Sequence, residues 1–116
     1  MKNVAFSLTV VATLLTPWLA SAQEAVKKCL ACHTFDQGGA KKIGPNLFGI
    51  FGKTSTLPDL AAKGVVWDEP TLMEYLANPS AFVSAKTAGA SKSKMALLVK
   101  DEAERKAAIE YLKTLK

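Results

Sequence analysis

Histidine and cysteine are almost missing from this 116-residue chain, which holds one histidine and two cysteines. That shortage excludes several chemistries. A structural zinc site closes with four ligands, usually Cys or His, and only three are on offer. A site that needs a second imidazole cannot be built. Strand patterning is also lacking: no stretch of convincing length alternates apolar and polar residues, so a sheet-based fold has no support. Repeats and low-complexity tracts are absent. The few aromatic residues are not interleaved with lysines, which speaks against a stacking platform for nucleic acid.

What is there is concentrated. All three scarce residues fall in Cys29-Leu30-Ala31-Cys32-His33. A thioredoxin-like redox pair would place C-x-x-C after a strand, and no strand precedes it. A structural disulfide leaves His33 without a purpose. Haem attachment of the c type uses every scarce residue, since C-x-x-C-H is its signature. The sulfurs of Cys29 and Cys32 add across the two vinyl groups, presented on one side of the macrocycle by a single helical turn. His33 then reaches the iron through a neutral imidazole nitrogen. Haem is the favoured reading, and a disulfide or redox pair is the remaining alternative.

The first residues resemble an export signal. Lys2 supplies positive charge, Val4 to Leu15 is an apolar run, and Ala20-Ser21-Ala22 fits the small-x-small cleavage pattern. The expectation is a signal peptide over 1–22, with a retained membrane anchor as the alternative because the stretch is close to spanning length. The domain is then 23–116, small enough that an apolar cofactor would add usefully to a thin core. The whole chain carries +5, and +4 without Lys2. That surplus suits docking on acidic partners better than neutralising a nucleic-acid backbone.

Helical character begins at Gln23 and runs into the motif. Thr34 to Lys42 reads as a loop, and Ile43 to Lys53 as packed irregular chain. Asp68 is an N-cap, Pro70 sits in the first turn, and Leu72, Met73, Tyr75 and Leu76 form an apolar face that Asn78-Pro79 terminates. Ser80 to Lys94 reads as a long surface loop with one helical turn at most. The last helix opens at Asp101 and Glu104 in a capping-box-like arrangement, with Ala108, Tyr111, Leu112 and Leu115 along one stripe. The fold class is all-α, a few helices and long loops.

An iron bound by one histidine has an opposite face, and its occupant separates carriers from catalysts. Without another histidine the candidates are the thioethers of Met73 and Met95. Met73 has a helical-face reason to be apolar. Met95 interrupts a polar stretch, "KSKMALL", and is therefore the favoured ligand, with His33 as its partner.

Taken in order, "CLACH" at 29–33, "GPNLFG" at 44–49, Trp67, "LMEYLANP" at 72–79, "KM" at 94–95 and "AIEYLKTL" at 108–115 resemble the class I c-type cytochromes, particularly those of proteobacterial respiratory and photosynthetic chains. The resemblance covers nearly all of 23–116. It implies the small cytochrome c fold wrapped around one haem c, covalent through Cys29 and Cys32, with His33 and Met95 on the iron. It implies that the Pro45 carbonyl accepts the other ring N–H of the ligating histidine. It likewise implies that the Trp67 indole donates to a haem propionate, where core packing is the alternative, and that Tyr75 lies near the methionine, where helix packing is the alternative. Two departures stand out. Ser21 and Ala25 occupy positions where the family usually has a glycine and an aromatic that help the first helix pack on the last. The segment 53–66 lacks a tyrosine that many relatives use on a propionate.

Function follows from the resemblance: one-electron shuttling in the periplasm, with no enzymatic activity. The donor would be a quinol-oxidising complex or a related protein, and the acceptor a terminal oxidase or photosynthetic reaction centre. Lys27, Lys28, Lys41, Lys42, Lys92 and Lys94 lie near the haem-binding segments and would steer a monomer onto acidic docking faces. Nucleic acid is not a partner, and a membrane is one only if 1–22 is retained. The alternative is a haem enzyme or gas-binding sensor with a displaceable distal ligand, although no spare histidine exists for distal acid–base work.

Overall fold

The computed structural model describes residues 17–116, with side chains described from Ala22 onward. The expected signal segment therefore lies mostly outside the described residues. Its last residues belong to α1, Pro17–Val26, which runs through the expected boundary after Ala22 and begins earlier than the helix expected at Gln23. Ala22 is itself buried.

Helix α1 tightens into a 3-10 helix at Lys27–Ala31. Four further helices follow: α2 at Pro58–Ala61, α3 at Glu69–Ala77, α4 at Pro79–Lys86 and α5 at Glu102–Thr114. Among the described residues there is no strand, only an isolated antiparallel bridge between Thr54 and Val66. The all-α expectation holds.

The last helix forms where its signals place it. Asp101 Oδ1 accepts the Glu104 backbone N–H at 2.9 Å, satisfying one of the orphan donors of the first turn. The reciprocal half of a capping box is not made, because the Glu104 carboxylate pairs instead with Lys28 at 2.6 Å. The buried stripe is Ala108, Ile109 and Leu112, and Ile109 is fully enclosed. Against it lie Ala25 and Val26 of α1, together with Leu72 and Leu76 of α3. Each large aliphatic side chain buried here stabilises the fold by about 1.5–3 kcal/mol relative to exposure.

The first and last helices thus pack although Ala25 departs from the family pattern. The small side chain is itself buried, and bulk is supplied from another place. Phe35, on the loop after the haem-type motif, is buried and meets Tyr111 of α5 edge to face, with centroids 5.8 Å apart. An aromatic four residues before Cys29 is not the sole way to fill this seam.

Helix α3 is capped as expected: Asp68 Oδ1 accepts the Thr71 N–H at 3.0 Å, and Pro70 needs no donor in the first turn. The segment after it differs from expectation. Ser80 to Lys94 is not one long loop, since Pro79–Lys86 forms α4. Asn78 explains both outcomes. Its extended backbone ends α3, while its Oδ1 accepts the Ala81 N–H at 3.0 Å and caps the next helix. Pro79 then occupies N1, so the dipeptide that stops one helix starts another. Only Phe82 and Val83 of α4, besides Pro79, are buried, too few to give a readable apolar period. They join Leu60 of α2 and Val65 in a second cluster, with Trp67 and Tyr75 packed against it.

Candidate functional site

The site begins with a backbone turn. The amides of Cys32 and His33 both donate to the Cys29 carbonyl, at 3.0 and 2.8 Å. This closes the turn and holds Cys29, Cys32 and His33 together at the end of the 3-10 helix. Both cysteines are free thiols and half-buried. Burial, and then the negative charge of Glu104, pushes the Cys29 thiol above its ordinary range. The motif is thus a pair of neighbouring, unbridged thiols.

His33 is positioned by the loop that follows. The Gly44 N–H donates to the Cys32 carbonyl at 2.7 Å and the Leu47 N–H to the Thr34 carbonyl at 2.8 Å, which folds 43–47 back over the motif. Nδ1 of His33 lies 2.7 Å from the Pro45 carbonyl oxygen. A carbonyl only accepts, so Nδ1 carries the proton, and in the neutral ring Nε2 is the nitrogen with the lone pair. The ring lies directly on Gly44: a Cβ there would sit 2.3 Å from Cε1 and 2.6 Å from Nδ1. Close approach of imidazole to backbone is possible only because residue 44 has no side chain. The Pro45 contact is the one the resemblance implies, whereas nothing in "GPNLFG" signals that Gly44 lies against the ring.

Trp67, Tyr75 and Phe82 form an aromatic group. Trp67 and Tyr75 meet edge to face at 4.9 Å, and Tyr75 and Phe82 at 5.6 Å. The Trp67 indole N–H has no hydrogen-bond partner among the described residues, which leaves a donor at the half-buried edge of the group. Tyr75 ionises above its ordinary range because burial disfavours phenolate, while a hydrogen bond with Ser93 opposes the shift.

Ser93 joins Tyr75 to the methionine segment. Its Oγ lies 3.2 Å from the Tyr75 hydroxyl and accepts the Met95 backbone N–H at 3.1 Å. In the sequence, Ser93 falls within the stretch 80–94 that reads as surface loop. The signal that could have found Ser93 is a serine two residues before a lone apolar one, the spacing of a local side-chain turn. Met95 and Met73 are both half-buried against the main core, so burial does not separate them. What distinguishes Met95 is its place on a loop tied to Tyr75.

The lysines divide into two sets. Lys27 pairs with Glu24 at 2.7 Å and Lys28 with Glu104 at 2.6 Å, while Lys42 donates to the Leu30 carbonyl at 2.6 Å. Lys41, Lys92 and Lys94 are exposed and make no ion pair among the described residues.

The family model for Cytochrome c matches residues 19–116. The chain belongs to the cytochrome c family. It is 46% identical over 108 residues to cytochrome c2 of Rhodospirillum rubrum, covering 84% of this chain and 96% of that protein. It is 43% identical to cytochrome c-550 of Novispirillum itersonii, covering 84% of this chain and 97% of the other. The solved structure of cytochrome c2 from Rhodospirillum centenum superposes with a TM-score of 0.76 at 26% identity, over 84% of this chain and 98% of that one. As a cytochrome c, the chain binds haem c covalently and carries electrons between redox partners; it is not an enzyme.

The residues present fit that cofactor. Two neighbouring thiols and an imidazole whose Nδ1 is committed to a carbonyl share one turn, and Cys29 and Met95 both pack against the main core. Beside them, Leu47, Ile50, Phe51 and Trp67 pack against the core while staying half-buried, a surface suited to an apolar ring. Among the described residues no helix is long and apolar enough to cross a membrane.

Proposed function

We propose that this cytochrome c is a periplasmic one-electron carrier in which Cys29 and Cys32 bear the haem and His33 and Met95 are its axial ligands. The observation that supports this most directly is the His33 ring. Its Nδ1–H is held by the Pro45 carbonyl and its face by Gly44, so Nε2 is the nitrogen left to bind metal.

Haem supplies a reversible Fe(III)/Fe(II) couple, and the chain decides how that couple behaves. His33, held in one tautomer, offers a fixed donor. Met95 offers a neutral, soft sulfur, which favours the reduced ion and raises the potential. With His33 and Met95 both bound, no position would be left for substrate, and the ligand set would stay alike in both oxidation states. The half-buried apolar side chains exclude water from the ring, which again disfavours the higher charge. The Trp67 indole N–H would donate to a propionate, and Tyr75 is joined to the methionine loop through Ser93.

Electrons would come from a quinol-oxidising complex or a related donor. They would pass to a terminal oxidase or a photosynthetic reaction centre. Lys41, Lys92 and Lys94, which pair with no carboxylate among the described residues, are the cations best placed to meet acidic partner faces. The working protein is a monomer without nucleic-acid partners. Residues 1–22 act as its export signal, and it touches a membrane only if they are retained.

The test uses the exported, haem-loaded protein. The reduced wild type should not bind carbon monoxide readily, whereas reduced Met95→Ala should, with a lowered reduction potential. Ready binding by the wild type would instead favour a gas-binding haem protein. Intact mass reports haem addition and removal of 1–22 together.

A further inference from the structure

The chain between α4 and Met95 is held at three places, two of which involve Ser91. Helix α4 ends at Thr87, a buried threonine. Its Oγ1 donates to the Val83 carbonyl at 2.7 Å and accepts the Ser91 N–H at 3.1 Å, so this buried hydroxyl is satisfied on both sides. The Ser91 Oγ in turn donates to the Asp59 carboxylate of α2, a residue 32 positions away in the chain. Two residues further, Ser93 makes the contacts with Tyr75 and Met95 already described.

Getting Ser91 back to Thr87 requires an abrupt reversal. Ala88 and Gly89 take it, with φ of +51° and +80°. Glycine adopts this conformation without cost, but alanine does not, so the turn at Ala88 persists only because contacts on either side hold it. Those contacts are the Gly89 N–H on the Ser84 carbonyl at 2.8 Å, the Ala90 N–H on Thr87 at 3.0 Å, and the Ser91 contacts.

We propose that Thr87, Ser91 and Asp59 form a clamp that positions the methionine loop. It fastens residues 88–94 to α2 and α4 so that Met95 is presented to the iron in one pose. This rests on the reading of Met95 as ligand. Ser91 is the hinge pin: its backbone serves Thr87 and its side chain serves Asp59. The loop is thereby tied to Asp59 of α2 through Ser91 and to Tyr75 of α3 through Ser93, and neither anchor alone determines it.

The test compares Ser91→Ala, Ser91→Thr and Asp59→Asn with wild type as haem-loaded proteins. Loosening the loop should let imidazole displace the sulfur from ferric iron, raising imidazole affinity roughly fivefold in Ser91→Ala, the factor one ordinary lost hydrogen bond amounts to. Amide hydrogen exchange across 88–95 should quicken by a similar factor while that of α5 is unchanged. Ser91→Thr should restore both readouts, and Asp59→Asn should fall between. Unchanged imidazole affinity and loop exchange in Ser91→Ala would overturn the clamp. Met95→Ala separates the two ideas: if it keeps the sulfur-to-iron charge-transfer absorption of the wild type, the ligation reading fails; if it loses that absorption while Ser91→Ala behaves as wild type, only the clamp fails.

Discussion

Lys28 and Glu104 lie 2.6 Å apart and join the helical turn that carries Cys29 to the last helix. The contact links the covalent attachment point to the element that closes the core. It also gives Glu104 a use other than capping. Yet the pair is solvent-screened, and Glu104 holds the Lys28 ammonium above its usual range without burying it. Apolar packing behind the pair is the larger force.

That ordering is testable. Ile109→Ala, at a fully enclosed position, should cost about 2–5 kcal/mol, through lost transfer energy and the cavity left behind. Lys28→Gln should cost far less. Guanidinium unfolding of the haem-loaded proteins measures both, and a larger loss for Lys28→Gln would reverse the assignment.

Gly44→Ala should disturb the imidazole most directly, because the new methyl would fall 2.3 Å from Cε1 of His33. The ring or the 43–47 loop must move, at about 1–3 kcal/mol for overpacking of this kind. The Nδ1–Pro45 hydrogen bond would be broken or lengthened. A lowered unfolding midpoint together with an altered haem absorption spectrum is the expected result.

Tyr75 supplies a pH signature. Its ionisation lies above the ordinary value of 10.0 in the folded chain because burial opposes the phenolate. The folded state therefore keeps its proton after the unfolded state has lost it. The stability this contributes is complete below about pH 10 and is lost as pH rises through the folded value. Tyr75→Phe should decline less steeply than wild type above that pH, read from denaturant midpoints along a pH series. Lys28 and Lys113, both raised by carboxylate neighbours, decline in the same window, so the difference in slope carries the result.

Docking can be dissected through the lysines. Lys94→Glu, at an exposed cation without an ion pair, should slow reaction with an acidic partner several-fold at low salt. The effect should fade towards 1 M salt, where the screening length is about 3 Å. Lys27→Glu should slow it less, because Glu24 already offsets that charge at 2.7 Å. Stopped-flow rates against ionic strength decide, and an unchanged low-salt rate for Lys94→Glu would remove that residue from the docking face.

Much of this was legible in the chain itself. Cys29, Cys32 and His33 are adjacent in sequence, so a single turn suffices to bring them together. The caps at Asp68 and Asp101 act within three residues and need no tertiary partner. Ala108 and Leu112 of α5 show because they stand in a stripe that repeats over about two turns, whereas Ile109 is buried without having stood in the expected stripe and Tyr111 and Leu115 are only partly buried. Other features were not legible. Helix α4 buries too few side chains to show a period, and its cap looked like a terminator. Gly44 matters through a ring 11 positions away, and Glu104 chose Lys28 over its own helix end.

The sequence by itself determined the chemistry: scarce ligating residues at fixed local spacing admit few cofactors, and short-range hydrogen bonds place them. Tertiary structure alone decided how those groups are held. It set the His33 ring on Gly44, tied Ser93 to Tyr75 and Ser91 to Asp59, and packed Ala25 of the first helix into the core with the last. Such pairings depend on where distant segments come to rest, and that follows from the burial of the whole core rather than from any local pattern of residues.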